Sequence, residues 1–195
     1  MVLNQLDIEQ LKKISASFKP SNFRSFIKNK ILTGKLDTEL EIYLDENNLL
    51  DNFIARGSVS NFKSKILSNI NLENSNFSFF ADKTDILIKN FFGETGPIKI
   101  KDGDIRVSIS PEISLDSNFK SNIKKDDDKF ENLLSLFKDN LYLKNINDIE
   151  AELNNNFSIV FDNTYKVKNY NFKSNGKISK ASLDTTEFLD KGFFG

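Results

Sequence analysis

The chain has 195 residues, with Lys+Arg 27 against Asp+Glu 28 and a formal net charge of -1. It contains neither histidine nor cysteine, which excludes His general bases, Ser-His-Asp and Cys-His nucleophiles, imidazole or thiolate zinc sites, disulfides and CxxC redox motifs. The charge balance lacks the strongly basic footprint of a nucleic-acid binder, so no nucleic-acid partner is expected, and neither is an enzyme, a cofactor or a metal.

Asp7 can cap a first helix whose apolar face is Ile8, Leu11, Ile14 and Phe18. Lys19-Pro20-Ser21 breaks it. Ser21 can cap a second helix carrying Phe23, Phe26, Ile27 and Ile31, with Gly34 placed to stop it. The pattern then changes to period 2. Leu36, Leu40, Ile42 and Leu44 share one parity, and Asp37, Glu39, Glu41 and Tyr43 take the other, which predicts a half-buried strand. After a turn at Glu46-Asn47-Asn48, Phe53, Ala55, Gly57 and Val59 mark the next strand.

Further strands are predicted around Lys65–Leu72, Phe77–Ala81, Thr84–Phe92, Pro97–Lys101, Asp104–Ser110 and Ile113–Ile123. Turn chemistry separates them at Asn74-Ser75-Asn76, Asp82-Lys83, Gly93-Glu94-Thr95-Gly96, Asp102-Gly103 and Ser110-Pro111. A helix is predicted over 125–140, capped by Asp128 and Glu131, with Phe130, Leu133, Leu134, Phe137 and Leu141 in one stripe. Strands resume at Ile149–Leu153, Phe157–Phe161, Tyr165–Asn169, Asn171–Asn175 and Lys177–Ala181. No strict repeat is visible in the sequence, only this loose recurrence of short strands.

No segment approaches the roughly 20 apolar residues of a spanning helix, and Met1–Gln5 lacks a secretory pattern. The apolar ending Gly192-Phe193-Phe194-Gly195 suggests a piece of a longer chain. Several short motifs have ordinary structural explanations. Lys124–Lys129 lacks the spacing of a calcium loop, and its carboxylates suit a helix start. Gly93–Gly96 lacks the Gly-Lys-Ser/Thr of a phosphate loop. Tyr165–Tyr170 mixes basic and aromatic residues without a basic domain around it.

The run Phe18-Lys19-Pro20, Asn22–Ile27 and Ile31–Leu36 resembles a segment of the AsmA-like envelope proteins, most closely their YhdP-like branch. There, a helical stretch with a proline precedes an Arg-x-aromatic-aliphatic motif, an aliphatic-x-Gly and a long strand. Arg24, Phe26, Ile27 and Gly34 take the motif positions, with Phe where Trp is usual. Ile54–Phe62, Thr84–Ile88, Gly103–Val107 and Phe161–Tyr170 are similar to later strands of the family, the last to its alphaproteobacterial members.

The resemblance implies a mainly β fold: a long curved antiparallel sheet forming an open apolar groove, with two short N-terminal helices and one inserted amphipathic helix. Together with the periodicity of the chain, which sets the bounds, it gives one unit, with a helical opening over 1–34, a meander over 35–124, the helix over 125–140 and a second meander over 141–195. It also implies a non-enzymatic, Gram-negative periplasmic protein, inner-membrane anchored in its full length. Such a protein would conduct phospholipid between the inner and outer membranes in outer-membrane biogenesis. Its partners would be acyl chains and components of both membranes. The groove candidates are Leu36, Leu40, Ile42, Leu44, Ile86, Ile88, Ile98, Ile100, Ile105, Val107 and Ile109. Alternation alone favours a closed sandwich core in a structural or interaction protein with no ligand, and the resemblance is what brings the open groove forward. A glycoside-active β-protein with two carboxylates is a third reading, weakened by the absence of Trp.

Overall fold

A computed structural model describes residues 2–17, 20, 22–67, 70–109, 112–124, 130, 146–162 and 166–183. Of the predicted helix over 125–140 only Phe130, which is buried, falls among them. The Ser110-Pro111 turn and the chain beyond 183 lie outside the described residues.

The fold is mainly β. Among the described residues nine antiparallel strands lie side by side in sequence order: β1 (Val2–Asp7), β2 (Ile31–Leu44), β3 (Leu50–Leu67), β4 (Ile70–Ala81), β5 (Asp85–Thr95), β6 (Ile98–Ser108), β7 (Ile113–Lys124), β8 (Ile146–Phe161) and β9 (Val167–Leu183). The order is linear from β1 to β9, so the sheet is open. Helices α1 (Ile8–Ala16) and α2 (Asn22–Lys30) interrupt the meander between β1 and β2. Asp7 caps α1 as predicted. Its side chain accepts from the Gln10 backbone N–H, and the Gln10 side chain accepts from the Asp7 N–H, both at 2.9 Å.

The strands are fewer and longer than the sequence pattern suggests. An unpredicted β1 precedes α1. Gly34 does not end α2; it lies inside β2, which starts directly after Lys30. The stretch 65–72 is divided between β3 and β4, which meet where Leu67 pairs with Ile70. Ile149–Leu153 and Phe157–Phe161 are parts of one strand, β8, and the pieces predicted beyond Lys166 are one strand, β9. The turns expected at Asn74-Ser75-Asn76 and Asp102-Gly103 are interior stretches of β4 and β6, whereas of the turn expected over Gly93–Gly96 the first three residues end β5 and Gly96 begins the turn into β6.

One local device explains why β4 and β6 run on through expected turns, and it recurs in β1, β3 and β5. Gln5, Asn61, Asn74, Asn90 and Asp102 each adopt positive φ, between 50° and 53°. Each sits at a register shift: β1 with β2, β3 with β4, β4 with β5, β5 with β6 and β6 with β7. These are β-bulges, in which one left-handed residue is inserted and pairing resumes beyond it. Asn and Asp tolerate that conformation better than other side-chain-bearing residues. Neighbouring side chains take up backbone donors at two of them. The Gln5 N–H donates to Asp37 Oδ1 at 2.7 Å, and the Asn61 N–H donates to Asn76 Oδ1 at 3.1 Å.

Each bulge also switches parity. Side chains alternate faces along a strand, so one extra residue moves the following set to the other parity while keeping it on the same face. Ile86 and Ile88 precede Asn90 and Phe91 follows it; Ile98 and Ile100 precede Asp102, and Ile105 and Val107 follow it. The β7–β8 pairing has no shift and runs unbroken from Ile113–Phe161 to Lys124–Glu150.

Candidate functional site: an apolar concavity on one sheet face

Two cross-strand rows lie on one face of the sheet. The first runs Gly57, Phe79, Ile88, Ile105, Ser117, Phe157, Phe172 from β3 to β9. The second runs Leu40, Ala55, Ala81, Ile86, Val107, Leu115, Ile159, Tyr170 from β2 to β9. Directly opposed side chains on one face are in reach of one another, so these rows form a nearly continuous apolar surface. Among the described residues the buried hydrophobic side chains are only Ile27, Phe91, Phe130 and Ala151. Most of the apolar face is half-buried.

The other face is polar. Arg56 Nε lies 2.9 Å from Glu39 and its Nη2 3.3 Å from Glu41. That guanidinium holds the Glu39 carboxyl below its ordinary range. Lys89 meets Asp104 at 2.7 Å, and Lys120 meets Asp102 at 3.1 Å. In the β4–β5 turn, the Thr84 and Asp85 N–H groups both donate to Asp82 Oδ1 at 2.8 Å, lowering its pKa. Asp85 is lowered as well, first by the Ser108 hydroxyl at 2.7 Å and then by Arg106 at 3.0 Å.

On the apolar face, α1 and strands β1 to β6 enclose a concavity of about 440 Å³. Leu6, Ile8 and Leu11 form one wall; Leu36 and Val59 continue it on β2 and β3. The floor is aromatic: Phe62 and Phe77 meet edge to face at 5.6 Å, and Phe77 lies 5.9 Å from Phe91. Phe79, Ile86, Ile88 and Ile105 complete the far wall. Towards β9 the same face carries one buried polar node. The Asn155 amide donates to Ser121 Oγ at 2.9 Å and to the Phe119 carbonyl at 3.3 Å, and its oxygen accepts from Ser174 Oγ at 2.9 Å.

The structure brings Leu36, Ile86, Ile88 and Ile105 together around this concavity. Leu40 and Val107 stand in the adjoining row. Ile98 and Ile100 lie beyond the Asp102 bulge, where Ile100 opposes Gly93 and Ser121. Ile42, Leu44 and Ile109 are at the sheet margin and exposed, Ile42 and Leu44 at 57% each, so they do not line the cavity. Of the motif residues, Ile27 is buried, Arg24 is half-buried on α2 and Gly34 lines the cavity against Phe62; the Phe26 side chain lies outside the described residues. Sequence reasoning missed Phe62, Phe77, Phe79 and Phe91. Two of them, Phe62 and Phe91, directly follow an apolar residue, a polar one and the bulge Asn, in Val59-Ser60-Asn61-Phe62 and Ile88-Lys89-Asn90-Phe91.

Among the described residues no group of three or more carboxylates is placed to hold a metal ion, and no helix is long and apolar enough to cross a membrane. No family model, no curated protein and no solved structure matches the chain.

Proposed function

We propose that the sheet holds phospholipid acyl chains along its apolar face, as part of a periplasmic envelope protein of the AsmA-like, YhdP-like kind that conducts phospholipid between membranes. The observation that carries this reading is the pair of apolar rows on an open sheet, deepened between β1 and β6 into a cavity of about 440 Å³. That size lies within the roughly 300–1,000 Å³ of small-molecule pockets. An acyl chain needs continuous apolar surface and little polar placement; each buried methylene contributes about 0.8 kcal/mol. Ile88, Ile105 and the Phe62–Phe77–Phe91 cluster supply that surface. No catalytic step belongs to this reading.

The test is native mass spectrometry of the purified chain together with solvent extraction and lipid analysis. Copurifying phospholipid, recovered in proportion to protein, is the expected result. A chain that purifies without lipid and takes up none from phosphatidylethanolamine vesicles overturns the proposal and leaves a structural or interaction role for the sheet.

A further inference from the structure

We infer that the outer edge of β9 docks one more extended strand, supplied by a partner whose residues alternate between apolar and acidic. This inference stands independently of the lipid reading.

Three observations define the partner. The first is the edge itself. Among the described residues β9 pairs only with β8, and its residues from Val167 to Ser182 are all exposed. Between the register shifts near its two ends, Asn169–Ile178 runs in unbroken register with β8. Such an edge presents a row of backbone donors and acceptors ready for another strand.

The second is apolar. Both rows of the inner face end on β9, at Tyr170 and Phe172, which are 70% and 54% exposed. The Phe172 ring lies 6.2 Å from that of Phe157 on β8 and is otherwise largely open. A docked strand with apolar residues at alternate positions covers the open side.

The third is charge. On the polar face, ion pairs cross from strand to strand: Arg56 to Glu39, Lys63 to Glu73, Lys89 to Asp104, Lys120 to Asp102, Lys124 to Glu150 and Lys180 to Asp148. β9 contains Lys168, Lys173, Lys177 and Lys180 and no acidic residue. Lys168 meets Glu112 and Lys180 meets Asp148, whereas Lys173, opposite Asn156, and Lys177, opposite Glu152 but not in contact with it, form no ion pair among the described residues. Acids on the next strand would continue the cross-strand pattern of the sheet. The lysines also reject a β9 edge from a second copy, because like charges on paired strands repel.

The test uses peptides with blocked ends and the full chain. One peptide copies residues 35–44, where Leu36, Leu40 and Ile42 alternate with Asp37, Glu39 and Glu41; a second carries Lys at those three acidic positions. The acidic peptide is expected to bind and the lysine peptide not. The double variant Lys173→Glu/Lys177→Glu should weaken the acidic peptide by about tenfold or more and admit the lysine peptide. Both sites are exposed; if the charge reversal fails to fold by circular dichroism, Lys173→Gln/Lys177→Gln replaces it, with weakening alone expected. N-methylation along one edge of the peptide should abolish binding. The inference is overturned if the acidic peptide fails to bind at millimolar concentration or binds the variants as well as the parent chain. It is equally overturned if light scattering shows copies of the chain already joined in a dimer that the peptide does not displace.

Discussion

Ser75 occupies the space that a side chain at residue 93 would need. A Cβ on Gly93 would lie 2.4 Å from Ser75 Oγ and 3.2 Å from Leu72 Cδ1. Ser75 is fully buried, and its hydroxyl donates to the Glu73 carbonyl at 3.0 Å, so it has little freedom to move aside. Small residues at this level of β4 and β5 let the bulged strands approach closely beside the Asn74 bulge.

Gly93→Ala is therefore expected to destabilise the chain by about 1–3 kcal/mol through overpacking. Combining it with Ser75→Gly should return part of that loss. Denaturant melts of both single variants and the double variant measure the coupling. Additive effects would show that the two sites do not share this space.

The bulges give a second prediction. Asn90 has φ of 53°, a conformation that is costly for a β-branched residue and free for glycine. Asn90→Val should lower stability by about 1–2 kcal/mol, while Asn90→Gly should stay within about 0.5 kcal/mol. Thermal melts compare the two. Equal losses would mean that the side chain of Asn90, rather than its backbone, matters.

The cavity gives a third. Ile88 lines it and is half-buried, so a carboxylate there hydrates while the cavity is empty. An acyl chain beside it would strip that water from an unpaired charge, which is costly. Ile88→Glu should lose copurifying phospholipid while costing about 1–3 kcal/mol of stability. Ile42→Glu, at the exposed margin, should keep both lipid and stability. Lipid extraction beside a thermal melt reads this out, and a variant at Ile88 that retains its full lipid complement would contradict the cavity assignment.

Acid should weaken the β4–β5 hairpin. Asp82 and Asp85 have pKa values below their ordinary value of 3.8 because the folded chain donates hydrogen bonds to them. Between the ordinary value and the lower folded value the unfolded chain binds more protons, so stability rises with pH there. The contribution is complete above the ordinary value and is lost as pH falls through the folded values. Melting temperature should drop on acidification below about pH 4. Asp82→Ala should be less stable at neutral pH and show a shallower acid slope; an unchanged slope would exclude this turn as its source.

The sequence by itself determined the class of fold and much of the inner face. Period-2 alternation in Leu36–Leu44 requires a strand with one apolar face, because successive side chains point to opposite sides. The Asp7–Gln10 cap is equally local, since donors and acceptors lie within one helical turn. What only the tertiary structure decided was continuity. Asn74 and Asp102 carry ordinary turn chemistry, and turn chemistry alone does not distinguish a residue that ends a strand from one that bulges within it. The difference lies in whether a neighbouring strand resumes pairing beyond it, as β5 does for β4 and β7 does for β6. That pairing brings the even-numbered Ile88 and the odd-numbered Phe91 to one face. It also leaves Ile42, Leu44 and Ile109 at the margin, because distance from the bulge line and from α1, not parity, sets which apolar residues enclose the cavity.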